Sequence, residues 1–102
     1  MLIKEDAMEE VKELTSFFSA IREDHRIGPT HISLYMALYN LYMLNQFQNP
    51  IYITRASVMA VAKISGLATY HKCIRDLVEF GYIEYFPSFN PTIRSKVYLL
   101  EK

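Results

Sequence analysis

Residues 52–85 read YITRASVMAVAKISGLATYHKCIRDLVEFGYIEY. Thr54 can cap a helix that begins at Arg55, with Ile53 before the cap and Val58 four residues after it placed as a hydrophobic staple. That helix, over 55–63, lasts less than three turns. Ile64, Ser65 and Gly66 interrupt it, and LATYHKCIRDLVEF resumes a helical pattern at once, over 67–80. Two helices joined by so short a turn must cross steeply. Gly81 stands where a helix would end in a left-handed residue. Tyr82–Phe86 and Lys96–Leu100 are strand-like runs on either side of PSFNPTIRS, which reads as a β-hairpin with a long, proline-bounded loop.

Working outward, Ile51, Tyr52 and Ile53 form a very short β-branched and aromatic run that suits a stub of strand. Before it, residues 31–47 contain no Asp, Glu, Lys or Arg, and their apolar side chains occupy nearly every angle of a helical wheel. A helix of that kind is covered on more than one side, so it is expected to be the central helix of the fold. Ser33, Asn40, Asn45 and Gln46 interrupt it too often for a bilayer span. Gly28 and Pro29 break the pattern ahead of it, and Thr30 is the expected N-cap. In residues 1–24, Ala7, Val11, Leu14, Phe18 and Ile21 recur at spacings of four and three, the stripe of an amphipathic N-terminal helix.

Bulk composition limits what this chain can do. Its 102 residues suit one domain with one core, and eight tyrosines and six phenylalanines supply much to bury. A single cysteine excludes an internal disulfide, and an acid-rich start is unlike a secretory leader, so a reducing, cytoplasmic setting is expected. Net charge is zero but unevenly spread. Residues 1–24 hold seven acids against three bases, whereas 25–102 hold eight bases against four acids, so an anionic partner would meet the second half.

The cluster His71, Lys72, Cys73 and Arg75 looks chemical until its geometry is drawn. At about 100° per residue, Phe80, Cys73, Leu77, Tyr70, Ile74, Leu67 and Val78 fall on one arc, the expected core face. Ala68, Thr69, His71, Lys72, Arg75, Asp76 and Glu79 fill the opposite arc. Residues two apart diverge on a helix, so His71 and Cys73 share neither a metal ion nor a proton. There is no glycine-rich phosphate loop, no metal-ligand spacing and no nucleophile beside a base. The expectation is no enzyme, no cofactor, no metal, no small-molecule ligand and no membrane anchor, with Cys73 a buried hydrophobe.

Helix, stub strand, helix, turn, helix and hairpin is the order of a winged helix-turn-helix domain with an extra helix in front: a mainly α, α+β fold. The quoted stretch resembles that family in a small residue, Ala60, inside the first helix, the tight turn at 64–66, and the exit formed by Leu77, Gly81, Tyr82 and Ile83. Residues 28–100, with GPTHISLYMALYNLY and GYIEYFPSFNP, are similar to small winged-helix proteins of bacterial mobile elements and to the winged-helix domains of DnaD-type replication-initiation proteins. The resemblance implies sequence-specific binding of double-stranded DNA, with helix 67–80 in the major groove and loop 87–95 as the wing. It implies a transcriptional regulator or an accessory factor of a mobile element; the alternative is a protein–protein adaptor in a replication or recombination assembly. Ala68, Thr69, His71, Lys72 and Arg75 would face DNA, Arg75 reading guanine and Lys72 a phosphate. Arg55, Arg94 and Lys96 would add contacts from the preceding helix and the wing. A homodimer through the N-terminal and central helices is expected, since paired recognition helices need a two-fold axis.

Overall fold

The computed structural model describes residues 11–90 and 92–102. Among them lie, in chain order, α1 (Lys12–Ile21), α2 (Pro29–Leu44), β1 (Ile51–Ile53), α3 (Arg55–Ala62), α4 (Leu67–Glu79), β2 (Ile83–Phe86) and β3 (Ser95–Leu99). This is a mainly helical α+β fold with a small antiparallel sheet, in a winged-helix-like layout. The strand order is β1-β3-β2, so the stub strand is the third member of the sheet and β3 lies in the middle. Ile51 stands opposite Val97, and Tyr85 opposite the same residue from the other side. Asn49 prolongs the ladder: its side chain both donates to the Leu99 carbonyl and accepts from the Leu99 amide, at 2.9 Å each.

Strand alternation divides the sheet's two faces. Ile51, Ile53, Ile83, Val97 and Leu99 are buried against the helices, while Tyr52, Glu84, Phe86, Lys96 and Tyr98 turn to the outer face. The charge-free α2 is the centre of the core, as its wheel predicts, with Leu34, Tyr35, Ala37, Leu38, Tyr39 and Tyr42 all buried. Each of the leucines contributes about 1.5–3 kcal/mol by leaving water. α2 starts two residues earlier than expected. Gly28, not Thr30, is the N-cap, because Pro29 fits the first helical position, where no amide hydrogen is needed. It also stops at Leu44 and not at 47: Gln46 and Phe47 both adopt positive φ, 58° each, and the Asn45 side chain donates to the carbonyls of Gln48 and Pro50.

Aromatic stacking corrects the phase of α1. Ala7 lies outside the described residues. Val11, Leu14 and Ile21 are half-buried, but Phe18 is 41% exposed, and Phe17 takes the buried place. The Phe17 ring stacks on Tyr35 at 3.7 Å and meets Tyr82 edge-on at 5.3 Å, a contact set that spacing alone does not reveal. Glu13 is only 8% exposed and its carboxylate accepts from the Tyr42 hydroxyl; burial first, and that bond next, push Tyr42 up to about 12.

The two motif helices follow the reading closely. Thr54 caps α3 by accepting from the Ser57 amide at 3.3 Å, and Ile53 and Val58 are both buried as the staple requires. Ala60 faces solvent; the small residue that packs is Ala62, whose carbonyl accepts from the Ser33 hydroxyl. Lys63 ends α3 in the left-handed conformation at φ 61°, and the Ile64 amide returns to the Met59 carbonyl. Gly81 closes α4 at φ 83°, where a side chain would be strained.

Candidate nucleic-acid interface

α4 is held by Tyr70, Cys73, Ile74 and Leu77, all buried. The opposite arc therefore carries Ala68, Thr69, His71, Lys72 and Arg75 into solvent. Cys73 faces inward as expected, and burial pushes its thiol up. Leu67 and Val78, placed on the core arc by the wheel, are exposed instead. Val78 sits at the edge of that arc where the core ends and a surface groove begins.

That groove is where the cationic residues converge. A cleft of about 610 Å³ lies between α3, α4 and the loop 87–94, lined by Arg55 from α3, His71 from α4 and Arg94 from the loop. Tyr70 and Tyr85 also line it, and burial pushes the Tyr70 hydroxyl up to about 12, with Arg55 pulling the other way. A second hollow of about 280 Å³ shares His71 and Tyr85 and adds Ile74, Arg75 and Val78. Among the described residues no carboxylate lines either one. The first turns of α3 and α4 carry no acid, so both helix N-termini keep their positive end uncompensated. Four expected contact residues thus come from three elements onto one continuous surface.

The other flank of α4 is different. Asp76, expected on the solvated arc, has a side chain only 17% exposed because the start of α2 covers it. Lys72 Nζ donates to it at 2.9 Å and His31 Nε2 at 2.8 Å, and these bonds hold the carboxyl below the usual aspartate range. The roles at His31 are fixed by its other nitrogen, which accepts from the Gly28 amide at 3.0 Å; the proton therefore sits on Nε2. Lys72 is exposed, but its charge already has a partner. Lys96 also stands apart from the clefts: it lies on the outer face of the sheet, 5.5 Å above the Phe86 ring.

The loop contains the residues that sequence reasoning left unassigned. Phe89, at the tip, is 94% exposed. Ile93 is 60% exposed and was not singled out. A signal for a structured tip was present in Ser88, Asn90, Thr92 and Ser95, residue types that hydrogen-bond neighbouring backbone. Among the described residues no three His, Cys, Asp or Glu side chains gather as a metal site, and no helix is long and apolar enough to cross a membrane. No family model matches the chain, and neither the curated proteins nor the solved structures include a match to it.

Proposed function

We infer that this chain is a winged helix-turn-helix protein that binds double-stranded DNA, acting by occupancy and not by catalysis. The observation that carries the reading is the convergence of Arg55, His71, Arg75 and Arg94 on one carboxylate-free surface built from α3, α4 and the loop. The duplex has a dense line of phosphates, and a surface with several unpaired cations and no acid gains from each counterion displaced. α4 would lie in the major groove with Ala68, Thr69, His71 and Arg75 toward base edges, and the loop 87–94 would serve as the wing. A regulator of transcription, or an accessory factor of a mobile element, is the role that fits binding without chemistry. A homodimer would double the modest number of phosphate contacts; of the N-terminal stripe expected to form it, Ala7 lies outside the described residues, Leu14 and Ile21 pack against this chain's own core, and Phe18 is left exposed.

Arg75 is the expected reader of guanine, because its guanidinium can donate twice to O6 and N7. Lys72 has a smaller part than its position on the helix suggests, since Asp76 holds it. The test is a gel-shift titration at two salt concentrations, with sites selected from a random pool and with random duplex. Arg75→Ala should lose about 1–3 kcal/mol of discrimination at one base pair. Arg55→Ala and Arg94→Ala should weaken both duplexes alike and each flatten the salt dependence by about one ion. Wild-type protein that binds neither duplex would overturn the reading in favour of a protein adaptor.

A further inference from the structure

The described residues of the loop, 87–90 and 92–94, bond to one another through their own side chains. The Ser88 hydroxyl donates to the Asn90 carbonyl and accepts from the Asn90 amide, at 3.2 Å each. Asn90 Oδ1 accepts from both the amide and the hydroxyl of Thr92, at 2.9 and 2.8 Å. The Ile93 amide returns to the Asn90 carbonyl at 3.0 Å, and the Ser88 amide reaches Ser95 Oγ at 3.1 Å. Polar groups at the tip are therefore turned inward upon each other. What projects is apolar: Phe89 at 94% exposure and Ile93 at 60%. A phenylalanine ring left in water forgoes the gain of burial, and the bonded tip that presents it does not fold over it.

We propose that Phe89 is a wedge that enters the minor groove, unstacks one base step and bends the duplex toward its major groove at that step, with Ile93 packing beside it on the sugar faces. The proposal rests on the duplex-binding reading above. Charge supports this occupant: no Asp or Glu occurs between Tyr85 and Leu100, and Arg94 and Arg55 line the cleft at the base of the loop, where the phosphates flanking a minor groove would lie. An apolar ring in that setting gains nothing from phosphate or from groove edges. Its gain comes from sliding between base pairs, which kinks DNA by about 20–90° and lets more of the protein surface meet it. Pyrimidine–purine steps unstack most easily, so the site should carry a TA or CA step under the wing without any hydrogen bond reading it.

The full chain and a short duplex recovered by selection from a random pool, labelled at its ends with a donor and an acceptor dye, provide the test. Anisotropy reads affinity and energy transfer reads the bend. Wild type should raise energy transfer on binding. Phe89→Ala should lose most of that rise and bind about tenfold more weakly, with an unchanged salt slope, whereas Phe89→Leu should retain most of the bend. Arg94→Ala should flatten the salt slope and keep the bend. An unpaired base at the wing step should tighten wild type and not Phe89→Ala. Duplex that binds without bending, or that Phe89→Ala bends as wild type does, overturns the wedge and leaves the duplex reading standing. No duplex binding by wild type overturns both. Loss of self-association in Phe89→Ala, seen by sedimentation with DNA affinity unchanged, would reassign the tip to a protein contact and overturn the wedge.

Discussion

The two flanks of α4 carry similar charges and use them differently. Toward the hairpin, His71 and Arg75 meet Arg55 and Arg94 around clefts with no carboxylate. Toward α2, Lys72 meets Asp76, which also accepts from His31 and is largely covered. The first flank leaves its charge for a partner; the second has already spent it on the fold. Counting bases on a helix therefore locates a binding face less well than asking which of them have an acid within reach, since an exposed pair contributes little to stability but still cancels the field outside it.

The largest effect expected from this contrast comes from the hairpin side. Replacing Arg55 and Arg94 together by alanine should weaken duplex binding by at least about a hundredfold at low salt, and reduce the salt slope by about two ions. Thermal stability should barely move, because both side chains are exposed. A double variant that binds as wild type would break the contrast at its stronger end.

Asp76→Asn is the next largest and acts on the fold as well as on binding. Asparagine can still accept from His31, so the cost should be about 1 kcal/mol, from loss of the charge-assisted bonds. With its partner gone, Lys72 should become available and tighten duplex binding about threefold. The pH dependence gives a second reading. Asp76 binds its proton more weakly in the folded chain, first because of Lys72 and then because of His31. Its contribution to stability is full above the ordinary aspartate value of about 3.9 and is lost as pH falls through the lower folded value. Melting temperature followed below that point should fall more steeply for wild type than for Asp76→Asn. Equal acid limbs would mean that the Asp76 bonds contribute nothing to folding.

The motif helices were legible in the sequence because local rules decide them. Thr54 caps, Ile53 and Val58 staple, and Gly81 turns left-handed whatever the rest of the molecule does. Both faces of α4 were legible at their centres, at Cys73 and at His71, and not at their edges. Val78 and Asp76 sit where one helix face passes into the next, and a neighbour decides their exposure: the groove beside the hairpin for the first, the start of α2 for the second. The α1 phase was lost for a related reason, since Phe17 and Phe18 fit the stripe almost equally until Tyr35 supplies a ring to stack on. Of the candidate site, composition placed most of the bases in the second half of the chain, where the clefts lie. It could not say that Lys72 has a partner from within its own helix, although Asp76 four residues on was visible as an i, i+4 pair. Lys96 points away from the cleft because strand alternation, once Ser95 and Val97 turn inward, leaves it no other face.

The smallest effect should come from Lys72→Ala, and it sharpens the contrast most. On position alone, Lys72 and Arg75 are equivalent exposed cations one turn apart on the same helix. If position governed binding, their alanine variants would weaken duplex binding equally. If pairing governs it, Lys72→Ala removes a charge that Asp76 had largely cancelled, but it also releases Asp76, whose carboxylate then faces the duplex with only His31 beside it. The net loss should be about twofold to threefold, well short of the loss in Arg75→Ala, and the salt slope should fall by less than one ion. Combining Lys72→Ala with Asp76→Asn separates the two contributions, because the released carboxylate is then absent. The double variant should bind more tightly than Lys72→Ala alone and about as well as wild type. A loss in Lys72→Ala as large as that in Arg75→Ala would show that Lys72 reaches phosphate despite its ion pair, and the two flanks of α4 would then act as one surface.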